Sequence, residues 1–334
     1  MLQITHLQSI NSLLKEQKHQ EAILLASENG FRILSSILAS IYNKTNNKSK
    51  NESKNEKNLK VMLLCNWCSS EQLIQLWNKM NYANSGITLT TDNPDYWVVI
   101  NSTDRHDFDK KKTIVFRMEP KMYLHPEIWG EWANPDSKNF LKVLKHENGD
   151  YNNCEWHLSK NCEELKTFQP VKTKIFSTIL SDKYKDPGHV KRVDFVKYLD
   201  KKGIEIDVYG NNKWDYKNYK TALPYHKKDE GIFPYKYTFN CENHSISNYF
   251  TEKLIDGILG ECLTFYWGCP NIPEFIDSRA YVKLELSNFE SDCSIIEKAI
   301  REDWYSQRLP YIREAKRKIL DEMQFIPRLK NLLN

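Results

Sequence analysis

Residues 235–269, YKYTFNCENHSISNYFTEKLIDGILGECLTFYWGC, leave the chain little choice of fold. Tyr235, Tyr237 and Phe239 alternate with Lys236, Thr238 and Asn240, and this period of two predicts a strand. A polar loop follows through Glu242, Asn243, His244, Ser245, Ser247 and Asn248. Over 249–259 Leu254, Ile258 and the leading aromatics fall at helical spacing, and Gly260 is placed to end the helix. Residues 262–267 are short, apolar and aromatic, which predicts a second, buried strand. Strand, loop, helix and strand make one βαβ unit. Its right-handed crossover puts the helix N-terminus at the carboxyl edge of a parallel sheet.

Chemistry collects at that edge. The first turn of a helix has unpaired N–H groups and a partial positive charge, so it attracts anions. Thr251, Glu252 and Lys253 occupy this turn. Lys253 supplies a full charge for a phosphate, Glu252 accepts hydrogen bonds from sugar hydroxyls, and Asn243 and Ser245 add neutral partners. The plain alternative is capping, with Ser247 or Asn248 as N-cap, Glu252 on the dipole and Lys253 solvated.

The same alternation recurs along the chain. Residues 59–67 (LKVMLLCNW) read as a buried strand, and 69–80 as an amphipathic helix with Ser69 or Ser70 near its N-cap. Tyr96–Ile100 and Thr113–Phe116 are further strands, ending at Asn101-Ser102-Thr103 and at Arg117-Met118-Glu119-Pro120. From 172, a strand (KIFSTIL), a helix over 189–199 and a strand within 204–210 form another βαβ unit, with Lys191 and Arg192 near the helix start. An Arg fork there can clamp phosphate oxygens; a surface helix Arg is the ordinary alternative. Residues 281–286 are one more strand. The expected organisation is a helical hairpin at 1–43, an Asn/Lys/Ser linker at 44–58, α/β domains at 59–170 and 171–290, and terminal helices at 291–334 that pack back on the first domain.

The run FNCENHSISNYFTEKLIDGIL…FYWGCPNIPEF resembles the donor-site signature of the α1,3/α1,4-fucosyltransferases, glycosyltransferase family ten. That pattern runs F-x-x-E-N-S, a short gap, D-Y-x-T-E-K, a helix, then a strand ending in a W/G-rich turn and P-x-x-x-x-F. The resemblance spans about 172–312 and is dense only in the segment above. His244 stands where the family has Ser, and Asn248-Tyr249-Phe250 replaces Asp-Tyr-Val or Asp-Tyr-Ile. The resemblance implies a GT-B fold, two Rossmann-like domains facing a cleft, and inverting transfer of fucose from GDP-fucose to a glycan hydroxyl, of α1,3 type. It implies that Arg192, Asn243, Tyr249, Glu252 and Lys253 hold the donor, that Arg192 and Lys253 meet the departing diphosphate without a metal, and that Glu119 is the general base. The alternative for Glu119 is an ion pair with Arg117 or a lysine. Another sugar nucleotide on the same fold, or a non-catalytic glycan-binding or scaffold protein, are the competing readings.

Charge and composition limit the rest. The chain has 48 basic and 44 acidic residues, a net charge of +4, and no basic stripe, which argues against nucleic acid. No apolar run reaches the roughly 18 residues a membrane span needs. The first residues lack a secretory pattern, so a cytoplasmic location is expected. The N-terminal hairpin is a candidate for homo-oligomerisation. Trp129 and Trp132 are a candidate acceptor-sugar platform, with core packing as the alternative. Asp107-Phe108-Asp109 has a metal-binding spacing, but three lysines follow it directly, and a solvated loop is expected. Cys65-Asn66-Trp67-Cys68 lacks a second pair at zinc spacing, and the eight cysteines are expected to be free thiols.

Overall fold

Among the described residues ten strands form two five-stranded sheets in which every pairing is parallel. The computed structural model describes residues 58–152 and 155–334, so the expected hairpin at 1–43, the linker up to 57 and Cys154 lie outside the described residues. The first sheet contains β1 (Leu59–Leu64), β2 (Ile87–Leu89), β3 (Tyr96–Ile100), β4 (Thr113–Phe116) and β5 (Lys142–Leu144), in the order β2-β1-β3-β4-β5. The second contains β6 (Lys174–Leu180), β7 (Asp207–Gly210), β8 (Tyr235–Cys241), β9 (Leu263–Trp267) and β10 (Tyr281–Lys283), in the order β7-β6-β8-β9-β10. The two sheets therefore share one topology.

The helices are α1 (Ser70–Trp77), α2 (Pro126–Trp129), α3 (Cys162–Thr167), α4 (Pro187–Lys202), α5 (Asp229–Ile232), α6 (Glu252–Leu259), α7 (Phe289–Arg301), α8 (Trp304–Lys318) and α9 (Phe325–Leu333). Parallel strands are covered on both faces, which is why they read as apolar runs and not as alternation. In β1, Val61 and Leu63 join Leu73 and Trp77 of α1, while Met62 and Leu64 join Val99, Val115, Trp132 and Phe140 on the other face. At the end of the chain, Phe325 is buried edge-on against Trp77 at 4.8 Å and lies 5.7 Å from Phe116, so α9 packs on the first sheet. The Gln324 side chain donates to the Met80 carbonyl at 3.1 Å beside it.

The strands expected over 59–67 and 281–286 are shorter, Leu59–Leu64 and Tyr281–Lys283, and two helices have other bounds for local reasons. The helix expected over 249–259 starts at Glu252, because Asn248 adopts a left-handed backbone (φ 66°) and Thr251, not Ser247 or Asn248, is the N-cap. The helix expected over 189–199 is longer. Pro187 sits in its first turn, Asp186 and His189 form a reciprocal cap, and Gly203 at φ 78° ends it.

The loops at the carboxyl edges of the two sheets meet. The Asn248 side chain, after β8, donates to the His146 carbonyl, after β5, at 2.7 Å. Two Rossmann-like units joined this way make the GT-B architecture.

Candidate active site

In the second sheet the strand order reverses between β6 and β8, and ligands bind at such a switch point. Glu242 leaves β8 here, fully buried. Its carboxylate accepts from the Thr251 N–H at 2.8 Å, the Thr251 hydroxyl at 2.7 Å and the Tyr266 hydroxyl at 3.3 Å. Burial raises the Glu242 pKa above the ordinary carboxylate range, against the pull of Lys253. Glu242 thus fixes the N-cap of α6 and everything that follows it. Two glycines permit this crowding: a Cβ on Gly188 would lie 1.7 Å from the Glu242 carbonyl oxygen, and one on Gly268 2.4 Å from Glu242 Cγ. The expected site residues omit Glu242, although an acid directly after an apolar strand was a signal for it.

Arg192 projects from α4 toward the same edge. Nη1 donates to Asn243 Oδ1 at 3.1 Å and Nη2 to Ser181 Oγ at 2.7 Å, while Nε has no partner among the described residues. It is buried, so it is no surface helix Arg. Asn243 is held in turn, since its carbonyl accepts from the Gly188 N–H at 2.9 Å.

Lys253 and Glu252 open α6. Lys253 Nζ is 3.0 Å from Glu252 Oε1, 3.2 Å from Thr251 Oγ1 and 3.9 Å from Glu242 Oε2. Burial opposes its charge, but Glu252 and Glu242 outweigh that and hold its pKa above the ordinary value. Burial likewise opposes the Glu252 carboxylate, and Lys253 and Lys228 overcome it, leaving Glu252 well below the usual range. Lys228 bridges Glu252 at 3.5 Å and Asp256 at 3.3 Å. Lys253 is therefore not the solvated group that plain capping implied. Tyr249 is buried with its ring edge-on to His146 at 5.4 Å, and its pKa is raised first by burial, then by Glu242, Glu119 and Glu252. His244 Nε2 lies 3.7 Å from Asp186 Oδ1.

Glu119 comes from the first sheet, just past β4. Asn101, left-handed at φ 59°, accepts from the Met118 and Glu119 N–H groups at 2.7 and 3.0 Å, and so sets the path of this loop. Among the described residues no ion pair holds the Glu119 carboxylate, and Arg117 lies instead 3.9 Å from Glu147. The Glu119 side chain is open to solvent yet walled by protein. This crowding raises its pKa, with Lys253 pulling the other way and Glu252 adding to the rise. Six expected site residues therefore converge: Glu119, Arg192, Asn243, Tyr249, Glu252 and Lys253.

Trp132 does not join them. Trp132 is a core residue, its indole N–H donated to the Thr103 carbonyl at 3.1 Å and its ring 5.8 Å from Phe140, so it offers no face to a sugar. Trp129 is half-buried. Its neighbours Tyr123, Leu124 and Ile128 are the exposed apolar side chains of this segment, and their irregular spacing hid them from sequence reading. Asp107 is exposed and paired with Arg105 at 2.6 Å, while Asp109 accepts from the Lys111 N–H.

The family model "Glycosyltransferase family 10 (fucosyltransferase) C-term" matches residues 169–299, the stretch that carries Arg192, Glu242, Asn243, Tyr249, Glu252 and Lys253. The chain carries a family 10 glycosyltransferase domain. A curated relative, the alpha-(1,3)-fucosyltransferase FucT of Helicobacter pylori, is 30% identical over 74 residues. That match covers 21% of this chain and 16% of the relative's length. Among solved structures, an alpha1,3-fucosyltransferase with GDP is similar at 16% identity and a TM-score of 0.46, over 82% of this chain and 93% of that one. T4 phage BGT with UDP-glucose is similar at 10% identity and a TM-score of 0.45, over 83% of this chain and 100% of that one. No described helix of this chain is long and apolar enough to cross a membrane.

Proposed function

We propose that the chain is an inverting fucosyltransferase that moves fucose from GDP-fucose to a hydroxyl of a glycan, in α1,3 linkage. The observation that carries this reading is that Glu119, from the first sheet, lies within electrostatic reach of Lys253 and Glu252 at the switch point of the second, where Arg192 also acts on Lys253. The acceptor oxygen bonds to the anomeric carbon as that carbon's bond to the diphosphate oxygen breaks. Glu119 takes the acceptor proton, and a raised pKa suits a base that must work near neutrality. Arg192, Lys253 and the N-terminus of α6 offset the negative charge that grows on the departing GDP. Asn243, Tyr249 and Glu252 hold the nucleotide and sugar. The apolar residues Tyr123, Leu124 and Ile128, on the segment after Glu119, support an acceptor surface, with Trp129 beside them.

Calorimetric titration with GDP, UDP and ADP, on the wild-type chain and on Lys253→Ala, tests the donor site. Tight GDP binding that the variant loses is the expected result; absence of GDP binding overturns it. A second reading, another GDP-sugar or sugar nucleotide on the same scaffold, is favoured by the His244 ring beside Asp186. A panel of donors with a common acceptor separates the two.

A further inference from the structure

Behind the first turn of α6, away from the groups assigned to catalysis, two imidazoles and a carboxylate come together. Glu155 and His157 lie two apart on the connector between the sheets, and His226 lies on the loop before α5. One ligand atom from each of the three lies within 4.8 Å of those from the other two, and His157 Nε2 is 3.5 Å from Glu155 Oε1. Tetrahedral zinc at about 2.0–2.1 Å from each ligand spaces them about 3.4 Å apart, so small side-chain rotations complete the set.

Three features mark this as a site and not as packing. Both rings are more than nine-tenths buried, and both Nε2 atoms lack a hydrogen-bond partner among the described residues, an expensive state for a buried imidazole. The Trp156 carbonyl lies 3.2 Å from His226 Nδ1 and accepts its proton in the tautomer that leaves the Nε2 lone pair for a ligand, the usual outer arrangement of a metal-binding His; Lys79 Nζ, 3.2 Å from the same nitrogen, donates to it in the other tautomer, and a metal on Nε2 selects the first. His226 is also held at φ 57°, a left-handed conformation that persists only where its surroundings impose it. Lys79 stands on the Nδ1 side of the His226 ring at 3.2 Å and donates to the Leu158 carbonyl at 2.7 Å, which keeps its charge off the Nε2 face.

We propose that Glu155, His157 and His226 bind a divalent transition metal, zinc by the chemistry of the donors, that pins the inter-sheet connector to the loop before α5. Two imidazoles and one carboxylate suit zinc and leave one position for water. The site communicates with the donor edge through the backbone. The His157 N–H donates to Asp256 Oδ1 at 2.7 Å on α6, and Lys228, two residues past His226, bridges Asp256 to Glu252. The metal therefore stiffens the support of Glu252 without touching a reacting atom.

The test uses the full chain, stripped with a chelator, dialysed, and titrated with Zn²⁺ alone by calorimetry and with Co²⁺ alone by visible absorption. One metal per chain and a cobalt spectrum without thiolate charge-transfer bands are expected. His157→Ala and His226→Ala should each weaken Zn²⁺ binding about 100-fold or more, beyond what losing an outer partner does. The Cys65→Ser/Cys68→Ser double variant should bind as wild type does. If either His variant fails to fold, Glu155→Gln, which keeps both rings, should bind about tenfold more weakly. No binding by the wild-type chain, binding that survives loss of the ligands, or binding lost with the cysteines overturns the proposal. GDP titration reads the donor site separately, so either idea can fail alone.

Discussion

The two sheets share a strand order but not an edge. At the switch point of the second, between β6 and β8, charge is concentrated in Arg192, Glu242, Glu252 and Lys253; the last three are tied together by ion pairs and through Thr251, while Arg192 is held by Asn243 and Ser181. At the corresponding point of the first, β1 ends in Cys65 and Cys68, whose sulfurs sit 3.5 Å apart as free thiols, and β3 ends in Asn101, Ser102 and Thr103. Glu119, whose carboxyl feels Lys253 and Glu252 of the other half, arrives from β4, a strand further on. Topology sets where a site can form, and the residues at the strand ends decide what it does. One edge gathers paired charged groups; under the proposed function the other supplies the base.

That contrast can be broken in order of expected effect. Glu119→Gln should lower kcat about 10²–10⁴-fold while GDP affinity stays as in the wild type, because the base belongs to the edge that does not hold the nucleotide. The base works ionised and its pKa is raised, so kcat/KM should fall as pH drops through that raised value, and the variant should lose this acid limb. A variant that keeps the limb would exclude Glu119. Phe325→Ala empties a buried site between α9 and the first sheet and should cost about 3–5 kcal/mol in chemical denaturation. If the halves are as distinct as their edges, the folded fraction still binds GDP normally. Lys253→Ala should cost on the order of 2–4 kcal/mol in kcat/KM and abolish GDP binding, the mirror image of Glu119→Gln. Trp129→Ala is the mildest, an acceptor KM rise worth about 0.5–1.5 kcal/mol, the scale of one aromatic contact. An unchanged KM would move the acceptor surface to Tyr123 and Ile128 or off this segment.

Legibility followed the same division. The strand 235–241 and the 249–259 helical pattern were readable because both periods are strong and sit back to back. Only the start of the helix was misplaced, by Asn248 turning left-handed and Thr251 taking the cap. Most of the donor edge lies on that one unit, so Asn243, Tyr249, Glu252 and Lys253 could be picked out together. Glu242 was passed over because a buried carboxylate is recognised by the groups that enclose it, and Tyr266 and Gly268 lie a full strand away. In the first half, short elements and irregular turns carry little periodicity. Trp132 went to the core and Tyr123, Leu124 and Ile128 to the surface, which no spacing distinguishes.

The sequence by itself determined the class of fold and put the N-terminus of one helix at the carboxyl edge of a parallel sheet, because both follow from hydrophobic period and from the handedness of the crossover. Only the tertiary structure decided that Glu119 faces Lys253, that Arg192 is buried and tied to Asn243, and that Glu155, His157 and His226 meet. Those pairings reach from 51 positions (Arg192 to Asn243) to 134 (Glu119 to Lys253), and a chain with local periodicity alone carries no record of which distant groups will share a low-dielectric space.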